Sequence, residues 1–130
     1  MTTVNLTESK FSETIKENSI VFVDFWAEWC GPCRNFAPVY EQAAVANPDI
    51  VFAKVDTEAE QALAGSFQIS SIPTLMAIRD GVVLYSQAGA LPQDALNNLV
   101  QAVRDVNMED VRAEIAKAET ANSKSEANPE

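Results

Sequence analysis

Histidine is absent from the 130 residues, and cysteine occurs only twice. Without an imidazole to serve as base or ligand, serine–histidine and cysteine–histidine catalysis are excluded. Most zinc chemistry goes with them, because a structural zinc site wants four cysteine or histidine ligands. Only a metal shared across a dimer would remain, and no metal is expected. Positive charge is scarce too: nine Lys and Arg against nineteen Asp and Glu leave a net charge of -10 and a sequence pI ≈ 4.3. Binding to nucleic acid needs clustered Lys and Arg to replace counterions on phosphate, so no nucleic-acid partner is expected. The segment Met1-Thr2-Thr3-Val4-Asn5-Leu6 carries no basic leader, and no long apolar run follows it. Neither a signal peptide nor a membrane anchor is visible, which points to a cytoplasmic protein without a membrane partner. Internal repeats are also missing.

What is present is a composition with 47% hydrophobic residues, enough for one globular domain with a real core. Chemistry concentrates in Asp24-Phe25-Trp26-Ala27-Glu28-Trp29-Cys30-Gly31-Pro32-Cys33, where an apolar strand runs into both cysteines. Their spacing lets one helical turn bring the two sulfurs within disulfide reach. In a reducing compartment such a pair is catalytic or metal-binding rather than a staple, and so small a loop constrains the unfolded chain very little. A redox-active pair is therefore expected, with Gly31 and Pro32 shaping the ring between the sulfurs. Trp29, next to Cys30, either covers the core or lines the site. Asp24 is an intruder in its strand: burial raises the pKa of a carboxylate, which suits a group that moves the proton of Cys33. The alternative is that it only hydrogen-bonds nearby backbone.

Taken in order, Val4 to Leu6 reads as a short edge strand, and Thr7 offers an N-cap for a helix with Phe11 and Ile15 on one face. Ile20 to Ala27 is the strongest strand. Val21, Val23 and Phe25 share one face and Phe22, Asp24 and Trp26 the other, so it is expected at the centre, parallel and covered on both sides. A helix follows from Cys33 to Ala46 with Pro38 inside it, then a strand from Ile50 to Val55 and a short helix from Thr57 to Ala64, ended by Gly65. Leu75 to Arg79 and Val82 to Ala88 flank Asp80-Gly81, a strong hairpin signal. A last core helix carries Leu96, Leu99, Val100 and Val103 in a stripe. Residues 1-106 are expected to form the domain. Residues 107-130 form an acidic extension, helical at first through an Asn107 cap and frayed or disordered from Thr120, serving as a solubilising tail or as an adaptor.

Several of these stretches, in this order, resemble the thioredoxin family: Val23 to Cys33, Ala37-Pro38, Ala53-Lys54-Val55-Asp56, Ile72-Pro73-Thr74, and Asp80-Gly81 with Gly89. The likeness spans about residues 4 to 104. Ser71 and Arg34 depart from the common Gly and Lys of the family, and neither change touches the thiols. The resemblance implies an α/β thioredoxin fold, a central mixed sheet of parallel strands plus an antiparallel hairpin with helices on both faces. It implies a protein-disulfide reductase in which Cys30, at the exposed amino end of a helix, is the nucleophile and Cys33 resolves the mixed disulfide. Free amides and the helix dipole at that position favour a thiolate. Further implications are that Asp24 lies beneath Cys33 with Lys54 close by, that Pro73 is cis and faces the cysteines, and that Ile72, Gly89 and Trp29 bind an extended client segment. No bound cofactor is implied, with NADPH acting only through a thioredoxin reductase. The partners implied are that reductase and disulfide-containing client proteins, met by a monomer. A binding module or co-chaperone that uses the acidic tail is the alternative.

Overall fold

The computed structural model describes residues 2–127, with side chains described from Thr2 to Thr120. Ten elements follow one another: β1 (Thr3–Asn5), α1 (Glu8–Glu17), β2 (Ile20–Trp26), α2 (Gly31–Ala46), β3 (Val51–Asp56), α3 (Gln61–Ser66), β4 (Thr74–Arg79), β5 (Val82–Ala88), α4 (Gln93–Asp105) and α5 (Met108–Ala127). The five strands form one mixed sheet in the order β1-β3-β2-β4-β5. β2 is central, rich in β-branched and aromatic residues, and buried along its length but for Trp26. It pairs parallel with β3 and antiparallel with β4, so the expectation of a parallel strand holds on one side only.

The alternation along β2 sorts the core into two layers. Phe22 meets Phe36, Tyr40, Phe52, Leu75 and Leu96 under α2 and α4, while Val21, Val23 and Phe25 meet Phe11, Val55 and Leu63 under α1 and α3. Asp24 shares the face of Phe22, the α2 side. The turn between β4 and β5 has positive φ at both central residues, Asp80 at 52° and Gly81 at 80°, which matches strand twist in a two-residue hairpin. A register shift beside Ala77 and Ile78 lets Leu84 and Tyr85, neighbours in sequence, both pack against the same core.

Local expectations fail where turn chemistry replaces helix. Thr57 to Glu60 is not helical: Asp56 Oδ1 accepts from the amides of Glu58 at 2.9 Å and Ala59 at 3.4 Å and holds a turn, so α3 starts at Gln61. Gly65 lies inside α3, and the left-handed residue beyond its end is Gln68, with φ 56°. Thr7 sits at the N-cap of α1 with extended backbone, yet its hydroxyl pairs with Ser9 Oγ and caps nothing. The helix after the cysteines begins at Gly31, which places Cys33 within its first turn.

The carboxyl-terminal helix is seated rather than loosely appended. Arg79 Nη1 donates to the carbonyls of Val103, Arg104 and Val106 at 3.0, 3.0 and 2.8 Å, satisfying oxygens that the end of α4 leaves free. Asn107 Oδ1 accepts from the Asp110 amide at 3.1 Å, Met108 is buried, and Arg112 lies 3.6 Å from Asp80. The helical backbone continues past Thr120 to Ala127, and the final three residues of the expected disordered stretch lie outside the described residues.

Candidate active site

β2 ends at Trp26, Ala27 is fully buried, and the chain turns through Glu28 and Trp29 into α2. Cys30 is the N-cap of α2, with φ -86° and ψ 112°; its sulfur accepts from the Cys33 amide at 3.2 Å. Pro32 stands in the first turn, where a missing N–H leaves no hydrogen bond unmade. Cys30 and Cys33 form a disulfide with their Cα atoms 5.2 Å apart. Gly31 has open space around the position a Cβ would take, so its backbone meets no steric limit there.

In one respect the site differs from expectation. Cys30 was expected to be exposed and Cys33 shielded, yet they are 4% and 3% exposed. Both belong to one buried cluster with Ala27, against which Trp26 and Ile72 pack, and the Ile72 carbonyl oxygen lies 3.8 Å from Cys30 Sγ. Exposed area therefore does not distinguish the two sulfurs in the disulfide state, whereas the Cys33 amide donates to Cys30 Sγ alone.

The Ile72-Pro73 peptide is cis. Among the described residues the Ile72 amide has no hydrogen-bond acceptor, while the Pro73 carbonyl accepts from the Gly89 amide at 2.8 Å. Gly89, with φ 110°, thereby joins the end of β5 to this loop. Trp29 is 67% exposed beside Cys30, and its indole Nε1 donates to Glu58 Oε1 at 2.7 Å. Sequence reasoning missed Glu58. The signal was legible in principle, since an Asp two residues earlier starts a turn that presents the next side chains outward.

Asp24 is 1% exposed, and neither carboxylate oxygen meets a donor among the described residues. Burial pushes its pKa up from 3.8 to about 7, against an opposing pull from Lys54. Lys54 is its register partner on β3 and holds its ammonium 4.6 Å from the centre of the Trp26 ring. Trp26 thus spans from this lysine to the cysteine cluster, and among the described residues its own Nε1 is buried without a partner. The buried residues of α2 include Cys33, Phe36 and, one turn on from Phe36, Tyr40, whose hydroxyl donates to the Ala53 carbonyl at 2.7 Å. Burial, followed by the nearby Asp24 charge, holds the Tyr40 phenol well above its usual range.

Among the described residues there is no group of three or more potential metal-ligating side chains, and no helix long and apolar enough to cross a membrane. A family model described as Thioredoxin matches residues 2–102. A Streptomyces coelicolor relative named "Putative thioredoxin 2" is 54% identical over 114 residues, covering 88% of this chain and 85% of its own. A stretch of that length here reaches at least Glu114, inside α5. Thioredoxin of Bacillus subtilis is 40% identical over 101 residues, 77% of this chain and 96% of its own. The solved structure of a mutant thioredoxin from Halobacterium salinarum superposes with a TM-score of 0.74 at 30% identity, covering 80% of this chain and 92% of that one. A disulfide at a helix N-cap, a cis proline beside it and these relatives agree: the chain belongs to the thioredoxin family of protein dithiol–disulfide oxidoreductases.

Proposed function

We propose that the chain reduces disulfides in a broad set of client proteins, with Cys30 as nucleophile, Cys33 as resolving thiol and Asp24 as the group that accepts the Cys33 proton. The Cys30 thiolate attacks one client sulfur, and the other client sulfur leaves as a thiolate. Asp24 then takes the proton of Cys33, which attacks Cys30 Sγ. The second client sulfur departs, and the Cys30–Cys33 disulfide is left behind. Two electrons pass to the client, and the oxidised pair returns to the dithiol by exchange with a thioredoxin reductase that draws on NADPH. No bound cofactor takes part, and the active unit is a cytoplasmic monomer.

The observation that carries this reading is the Cys33 amide aimed at Cys30 Sγ from the first turn of α2. A donor there, added to the positive end of the helix, favours charge on that sulfur in the reduced state. Client recognition uses backbone: an extended segment adds to the free Ile72 amide beside the exposed Trp29, with Pro73 and Gly89 forming the floor. Lys54, Gly31 and Pro32 tune the pair. The domain spans residues 1-106, and the extension from 107 is an accessory to it. Cys33→Ser tests the order of events. It is expected to leave clients covalently held on Cys30 in cell extract, whereas Cys30→Ser captures none; capture by the second variant and not the first would reverse the roles.

A further inference from the structure

A cleft of ≈ 430 Å³ opens between β1, α2 and β3, lined by Thr3, Trp26, Ala37, Glu41 and Lys54 among others. A lysine and a glutamate lining one cleft would ordinarily pair. Here they do not: among the described residues the ion pairs are Arg104–Asp49, Arg112–Asp80 and Lys117–Glu114. Both Glu41 oxygens are already taken. Oε1 accepts from the Thr2 amide at 3.2 Å and from the Thr2 hydroxyl, and Oε2 accepts from the Thr3 hydroxyl at 3.0 Å. The Thr2 hydroxyl foremost holds the Glu41 carboxyl below its usual range, so it is a carboxylate fully committed to β1 and the residue before it.

We propose that Thr2 and Thr3 form a latch that keeps Glu41 away from Lys54 and so leaves the lysine charge available to Asp24. Glu41 is then a positioning residue that acts on the buried acid only through Lys54. The groups facing Asp24 allow this. Its register partners are Lys54 on β3 and apolar Leu75 on β4, α2 brings the Tyr40 phenol near its charge, and among the described residues Lys54 is the cation that acts on it. Among the described residues no other cation offsets the cost of that buried charge. The inference rests on the proposed proton-transfer role of Asp24 for its functional meaning.

The test replaces both hydroxyls, Thr2→Val with Thr3→Val, and follows the Asp24 carboxyl by carbon NMR titration in the oxidised protein. A freed Glu41 moves to Lys54, and the Asp24 midpoint is expected to rise by about half a pH unit, the scale of one charge acting across a partly wet cleft. In a Glu41→Gln background the same two substitutions should leave the midpoint unmoved. No rise in the valine variant, or an equal rise in the glutamine background, overturns the latch. The pH profile of insulin reduction should follow the NMR midpoint. If the NMR midpoint moves and the profile does not, the latch stands and the proton-transfer role of Asp24 falls.

Discussion

Asp24 is the residue where stability and the proposed chemistry conflict. Its pKa is raised from 3.8 to about 7, so between those values the folded chain holds a proton that the unfolded chain has lost. Stability is therefore favoured at low pH, declines as pH rises from about 4 to about 7, and stays reduced above that; the span corresponds to about 4 kcal/mol. Asp24→Asn removes the buried charge without a cavity. Denaturant unfolding should show the variant more stable than the parent at pH 8, with the difference vanishing near pH 4. Turnover should move the other way, slowing roughly 10- to 100-fold and losing its pH dependence between 6 and 8. A parent rate that is flat over this range would remove Asp24 from the proton path. At this scale the sequence was informative about type: one acid among apolar strand residues stands out. It was silent on the fact that neither oxygen finds a donor, because that depends on which side chains α2 and β3 bring over it.

Elements were legible where periodicity or paired turn residues dominate. β2, the Asp80-Gly81 hairpin and the Leu96–Val100–Val103 stripe lie where their patterns put them. α3 was misjudged because an Asp56 side chain competes with helix for the amides of Glu58 and Ala59, and a lone Gly65 looked like a stop signal. The seating of α5 was not legible either, since it depends on Arg79, a strand residue whose three acceptors lie more than twenty positions away. Arg79→Met keeps the stem and removes the donors. It should cost about 2 kcal/mol, the scale of hydrogen bonds made by a charged group, and should raise amide exchange at the α4–α5 junction while insulin reduction persists. Unchanged exchange there would show that Met108, the Asn107 cap and the Arg112–Asp80 pair hold the helix without Arg79.

For the whole molecule, the sheet separates two ends. Cys30, Ile72 and Gly89 gather where β2 finishes and β4 begins, while Arg79, Asp80 and the root of α5 lie at the opposite end of β4. The root of the extension therefore lies at the end of β4 away from the disulfide. Removing residues 113–130 keeps Met108 and Arg112 in place and should leave insulin reduction within about twofold of the full chain. A large loss would favour the reading in which the tail takes part in client binding. The proposed exchange depends on the two sulfurs being unequal once reduced. The direct measurement is the pH dependence of alkylation at each cysteine, read by mass spectrometry on the reduced protein. It should show Cys30 ionising below the ordinary thiol value of about 8.5 and Cys33 above it. Equal ionisation of both, or a lower value at Cys33, would contradict the account.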